Sequence, residues 1–490
     1  MGLAETSLSV GQASLKTRFM NKTLSLFILG ALLSVACQTQ TDDHSCEEPI
    51  PSVGIVSDIS DDDLLELVQK QTFRYFWDFG HPVSGLARER SNTVKGAYYW
   101  DYINEAWGVP NFSEHTYGPE SIAVGGSGFG IMAMTVAAER GWISRDAALR
   151  RLHKIVDFLL QAETFHGAFP HFMHGENGKA ITFGRLDDGA DIVETSYLMM
   201  GLLTAREYFN GDTPLEQYLR AKITQMWEGV NWAWFEKDGK LFWHWSPNQG
   251  FDMNFPIHGW NECLITYIMA ASSPCYPISK DVYERCWKGG IGYRNTREYY
   301  GITAPLGDWG ESLCGPLFFE QYTFQGIDPN ALVDEDGVNY FEQGKAHTLL
   351  HRAYAIDNPN GHKGYGADCW GFTAGDSNKG YVAHDPGTDL GVIQPTAALS
   401  SFPYTPAESM EVLKHLYFDL GGTVWGEYGF VDGFNPETGW ASDTWLAIDE
   451  GPIVNMIENY RTGMLWKLFM NIPDIQRGLT RLGFSSPYIQ

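Results

Sequence analysis

From residue 58 onward, apolar positions recur at three-to-four spacing rather than in strict alternation, the signature of amphipathic helices. Ser60 and Asp63 open the first, with Leu64, Val68, Tyr75, Phe76 and Phe79 on one face. Thr213, Pro214 and Glu216 form a capping box with proline in the first turn, and Thr405, Pro406 and Glu408 repeat it before Val412, Leu413, Leu416 and Tyr417. The pattern predicts helices near 60–79, 121–139, 144–162, 188–209, 213–229, 258–272, 279–289, 313–322, 336–356, 394–401, 405–420 and 450–470. Between them lie long loops rich in Gly, Trp, His and Asp at 164–189, 231–257, 291–312, 357–393 and 421–449. Loops of that length in a compact domain usually carry function.

The region 58–490 is too long for one simple core and shows no internal linker. Sequential helical hairpins without a break favour an all-α closed double ring, six helices inside and six outside, with the loops gathered at one mouth. An open helical solenoid is the alternative. The segment before residue 58 reads differently. Lys16, Arg18 and Lys22 precede the apolar stretch Leu24–Val35, so residues 1–36 are expected to be a signal peptide, with Met20 as the expected start. Leu33, Ser34, Val35, Ala36 and Cys37 resemble a lipobox, which makes Cys37 the lipidated first residue of an exported protein anchored to the outer membrane. Residues 37–57, rich in Thr, Asp, Glu, Pro and Ser, are expected to be a flexible tether. The other six cysteines show no CxxC spacing and are expected to be mostly buried free thiols.

A net charge of −26 excludes a partner held by its phosphates, so no nucleic acid is expected, and 44% hydrophobic residues exclude a disordered chain. Several chemistries fail on spacing. Gly125, Gly126, Gly128 and Gly130 do not make GxGxxG, and GxxxxGK and GxSxG are absent. His347 and His351 stand at i, i+4, but Thr348 occupies the place of a zincin's Glu, and Asp334, Asp336 and Gly337 do not complete a calcium loop. No metal and no cofactor are expected.

Carboxylates stand out instead. Asp187, Asp191 and Glu194 fall at i, i+4 and i+7, on one face if the helix starts by residue 187. Crowded acids repel, which raises at least one pKa toward the value a general acid needs. Glu262 leads into the apolar run Ile265–Ala271, a desolvating setting, and Asp443, Asp449 and Glu450 precede a helix carrying Glu458 and Arg461. Aromatics make up 14% of the chain. Nine tryptophans sit in loops: Trp232, Trp234, Trp243, Trp245, Trp309, Trp370, Trp425, Trp440 and Trp445. Flat apolar faces beside acids suit sugar rings.

The stretches LDDGADIVETSYLMMGLL, PIHGWNECLITYIMAASSP, GPLFFEQYTFQGIDP and DEGPIVNMIENYRTGMLW resemble the bacterial glycoamylase-like domain, the family that contains β-1,2-glucanases. The resemblance implies an (α/α)6 toroid, an inverting attack on β-1,2-glucosidic bonds, and function at Asp187, Asp191, Glu194, Glu262 and Asp449. It leaves another glucan open as substrate. With it come candidate sugar contacts at Arg185, Trp260, Asn261, Trp309, Trp370, Trp445 and His171. Glu262 is expected to protonate the leaving oxygen, with Asp449 slightly favoured as the base. A glucan-binding lipoprotein that does not cut is the rival from another class; a lyase is weaker, since the acidic chain supplies few cations for a uronate.

Overall fold

The computed structural model describes residues 48–92, 99–101, 106–108, 118–290, 293–307 and 313–489. The expected signal peptide, Cys37 and Trp309 lie outside these. Fourteen α-helices are described: α1 Asp61–Trp77, α2 Val124–Glu139, α3 Arg145–Leu159, α4 Ile192–Tyr208, α5 Pro214–Gly229, α6 Leu264–Ser272, α7 Lys280–Val282, α8 Tyr340–Asp357, α9 Pro395–Leu399, α10 Pro406–Lys414, α11 Gly421–Val424, α12 Ala447–Thr462, α13 Met464–Met470 and α14 Pro473–Leu482.

Six segments are buried along nearly their whole length: α2, α4, α6, the 3-10 turns Leu317–Glu320 and Thr323–Gln325 taken together, α9 and α12. A helix apolar on all sides must be covered on all sides, and these form the inner ring of an (α/α)6 toroid. The order closes on itself. α2 packs on α4 and α4 on α6; Ile265 N donates to Thr323 Oγ1 at 3.1 Å; Gln321 Nε2 donates to Ala397 O at 2.8 Å; Thr396 Oγ1 donates to Asp449 O at 2.9 Å; and Asn455 Nδ2 of α12 donates to Phe129 O of α2 at 3.0 Å. In this ring of six, α6 and α12 stand opposite one another. Helices α1, α3, α5, α8 and α10, with α13 and α14, cover the outside.

The close approach of α2 to α4 explains the glycine-rich sequence of α2. A Cβ on Gly128 would collide with the Tyr197 carbonyl oxygen, and one on Gly201 with that of Gly128. Backbone therefore lies on backbone, which only glycine permits.

Several expectations shift. Thr213 caps α5, accepting from Glu216 N at 3.3 Å, but Thr405 makes no capping bond to α10; its hydroxyl turns to Ser401 and Ser409. The helix expected over 450–470 breaks at Gly463, which takes a left-handed φ of 65°. α14 was not expected. Residues 48–57, expected as tether, instead lie against α1 and the turn that follows α10: Arg74 Nε donates to Ile50 O at 2.6 Å, Val53 N to Gln71 Oε1 at 3.0 Å, and Val56 N to Tyr417 OH at 2.9 Å. Backbone groups of this segment find side-chain partners there that composition alone does not reveal. Among the described cysteines, Cys263, Cys286, Cys314 and Cys369 are buried free thiols and Cys275 is an exposed one.

Candidate active site

The inner helices begin at one end of the ring, and their first turns converge. Glu194, in the first turn of α4, accepts from Gly125 N of α2 at 2.7 Å. The Glu262 carbonyl, just before α6, accepts from Tyr197 OH at 3.2 Å and Thr323 Oγ1 at 3.0 Å. Strand Ser121–Ala123 holds Glu89, whose N donates to Ser121 O at 2.9 Å, and Ala447 N at the start of α12 donates to Glu89 O at 3.0 Å. The result is a cavity of about 200 Å³ lined by Glu89, Glu194, Glu262 and His171, by Phe172, Phe183, Trp243, Phe318 and Tyr322, and by Tyr381 from the hairpin Ala374–Ser377/Gly380–Ala383.

Behind one wall lies a buried acid network. Arg90 Nε donates to Glu89 Oε2 at 2.8 Å, and its Nη1 to both oxygens of Asp376 at 3.2 and 3.0 Å. Asp376 N donates to Asp432 Oδ2. Asp432 Oδ1, Asp449 Oδ2 and Glu450 Oε2 are buried and lack an ordinary donor, and the Asp432 and Asp449 carboxyls lie against each other. Burial first, then Asp376, pushes Asp432 up to about 7. Burial and Asp432 hold Asp449 well above the carboxylate range, and the same two causes raise Glu450.

On the opposite wall, burial followed by the Asp191 charge lifts Glu194 to about 7. Asp187 and Asp191 face the imidazoles of His171 and His244 at 3.1 to 3.6 Å. Those imidazoles lower Asp187 against the opposing effect of burial, and the two carboxylates likewise raise His171. The shared helical face expected for Asp187, Asp191 and Glu194 is not how they meet. α4 begins only after Asp191, whose Oδ1 caps it by accepting from Val193 N and Glu194 N at 2.9 Å each. Residues 190–191 instead pair as a short strand with His244–Trp245, and Asp187 sits in the preceding turn, its N donating to Gly184 O at 2.9 Å.

Glu262, Glu194 and His171 line the cavity, and Asp449 lies beside it. Other candidates do not. Trp260 is fully buried, and its Nε1 donates to the buried Glu320 Oε1 at 2.9 Å, which also takes Gln343 Nε2 and His347. Trp370 is fully buried in the core. Trp445 packs edge-on against Tyr428, Asn261 Oδ1 turns back to Cys263 N at 2.9 Å, and Arg185 is exposed. Of the loop tryptophans, Trp243 lines the cavity. Glu458 and Arg461 do not pair with each other: Glu458 takes Arg140, and Arg461 takes Glu66 and Asp62. Sequence reasoning missed Glu89, Asp376, Asp432 and His244. The charged triplet Arg88, Glu89, Arg90 and the His between Trp243 and Trp245 were the available signals.

The Glycoamylase family model matches residues 254–473. A curated relative, the exo β-1,2-glucooligosaccharide sophorohydrolase (non-reducing end) of Parabacteroides distasonis, is 40% identical over 447 residues, covering 86% of this chain, which spans 58% of that relative's length. The endo-β-1,2-glucanase of Chitinophaga pinensis, solved with sophorotriose and glucose, is 46% identical over 88% of this chain and 100% of its own, with a TM-score of 0.82. A β-1,2-glucanase structure from Parabacteroides distasonis is 40% identical over 87% of this chain and 60% of its own, with a TM-score of 0.79. A closed helical ring with carboxylates and aromatics at one mouth is the architecture of a toroidal glycoside hydrolase. The chain belongs to the glycoamylase-like family that includes these β-1,2-glucanases.

Proposed function

We propose that the protein is a glycoside hydrolase that cleaves β-1,2-glucosidic bonds with inversion. The observation that carries this reading is the pairing of Glu262, which lines the cavity, with Asp449, which lies buried beside the cavity on the opposite inner helix. Glu262 precedes α6, Asp449 lies in the first turn of α12, and these helices face each other across the ring. An inverting enzyme needs its acid and base on opposite faces of the sugar, about 6.5 to 9.5 Å apart, with water between sugar and base. Glu262 protonates the leaving oxygen. Asp449, paired with Asp432, is the base: the pair carries a single charge, and abstraction by Asp449 requires the shared proton to rest on Asp432. Glu194, fixed by Gly125 N, and Glu89, fixed by Arg90, hold sugar hydroxyls, while Phe172, Phe183 and Trp243 offer apolar faces.

Incubation with a panel of glucans of defined linkage, followed by product sizing, tests the substrate. Cleavage of β-1,2-glucan alone is expected; cleavage of an α-linked glucan instead, or binding without cleavage, contradicts it. Whether a ladder of sizes or sophorose alone accumulates separates internal from terminal attack. Export by a lipid anchor at Cys37 is proposed from the apolar run ending at Ala36. Expressed in a bacterium with a lipoprotein pathway, the natural sequence should fractionate with membranes and Cys37→Ala should not; equal release of both rejects the anchor.

A further inference from the structure

The 3-10 turn Trp232–Phe235 buries Trp232 and Phe235 but turns Trp234 outward, and that indole is 43% exposed, more than any other loop tryptophan among the described residues. A single exposed apolar side chain needs no explanation. This one is part of a cluster. The imidazole of His166 stacks on it with 3.8 Å between centroids and 18° between planes, and Trp245 meets both edge-on, 4.7 Å from His166 and 6.3 Å from Trp234.

The backbone fixes these side chains in advance. His166 and Gly167 are the central residues of a tight hairpin turn, closed by Phe165 N to Ala168 O at 2.8 Å and Ala168 N to Phe165 O at 3.0 Å, and both are left-handed, with φ of 54° and 80°. Asparagine before glycine is the usual pair for such a turn. Histidine occupies the strained place instead and so sets an imidazole against Trp234. Asn231 ties the two together: its N donates to His166 O at 2.9 Å, and its Oδ1 accepts from Trp234 N at 3.2 Å. Gly167 lies so near Gly229 O that a Cβ would collide. Partial burial lowers the pKa of His166, so near neutral pH its imidazole is uncharged and offers one donor and one acceptor.

The cluster is continuous with the cavity. His166 stands five residues before His171 of the cavity wall, a reach of at most about 18 Å, and Trp245 follows two residues after Trp243, which lines the cavity. Strand His244–Trp245 pairs with Ala190–Asp191, the residues that lead into α4, so the aromatics lie at the end of the helical ring where the cavity opens. The cavity itself is about 200 Å³, below the roughly 300 to 1,000 Å³ of sites that enclose a drug-sized ligand. A long glucan must therefore continue over the surface. From this we infer that His166, Trp234 and Trp245 form an outlying subsite for glucose units of the β-1,2-glucan chain that extend beyond those in the cavity, an inference that rests on the function proposed above. The indoles offer flat apolar faces to the sugar, and the imidazole edge meets its hydroxyls.

The test compares a long β-1,2-glucan with the shortest β-1,2-glucooligosaccharide that the full exported chain cuts. Trp234→Ala and His166→Asn, the second chosen to suit the turn, are each expected to lower the ratio of kcat/KM for the long chain to that for the short one by about 3- to 10-fold, through KM. Trp234→Phe should restore most of the ratio. If Trp234→Ala does not fold, His166→Asn decides alone. An unmoved ratio overturns the inference, and so do equal losses on both substrates, which would mean that the aromatics only brace their loops. A natural sequence that cuts no β-1,2-glucan defeats the proposed function and this inference with it, an outcome visible before any variant is made.

Discussion

Glu262→Gln is expected to lower turnover of β-1,2-glucooligosaccharides by about 10² to 10⁴ while leaving the fold and substrate affinity in place. The amide keeps the shape of the side chain and removes the proton the leaving oxygen needs. The Glu262 carbonyl, which receives Tyr197 OH and Thr323 Oγ1, is untouched by the change. Circular dichroism and calorimetric binding of an oligosaccharide to the variant check those two conditions, and kcat checks the third. Turnover near that of the natural sequence removes Glu262 from the role of acid. A loss of binding equal to the loss of turnover makes it a sugar contact instead.

Asp449→Asn is expected to abolish activity to a similar degree, about 10² to 10⁴, and to change stability in the opposite direction. The folded-state pKa of Asp449 is raised by burial and by Asp432, and Asp432 itself titrates near 7. A folded state that holds protons more tightly than the unfolded chain is favoured at low pH. Its advantage shrinks as pH rises from the ordinary carboxylate range through about 7. The natural sequence therefore loses stability over that window, and Asp449→Asn, which cannot ionise and leaves Asp432 without a charged neighbour there, loses less. Its Tm relative to the natural sequence should climb between pH 5 and pH 8. A Tm difference that is flat or falls with pH means the two carboxyls do not share a proton.

The helical ring was legible because it rests on local signals. Apolar spacing located α1, α3, α4 and α5 to within a few residues, and Thr213 caps α5 as its motif implies. The predominantly apolar α2 and α6 could only lie inside. What failed were pairings between distant residues. A two-residue strand such as Ala190–Asp191 has no period to detect, so the start of α4 was placed too early and Asp187 was put on a helix. The Asp376–Asp432–Asp449 network joins acids from three segments, none of which carries a pattern of its own. Tryptophans misled for a related reason. Trp260 and Trp370 occupy loop positions in sequence, yet these loops fold inward, and an indole fills a core gap as readily as it faces a sugar.

The two-carboxylate account is tested most directly by following the anomeric proton signals of the products as the protein cuts linear β-1,2-glucan. Water delivered from the Asp449 side, opposite Glu262, releases new reducing ends first as the α-anomer, which then mutarotates toward equilibrium. Early accumulation of the β-anomer would require two displacements with a covalent intermediate at one carboxylate, and would contradict the placement of acid and base across the ring.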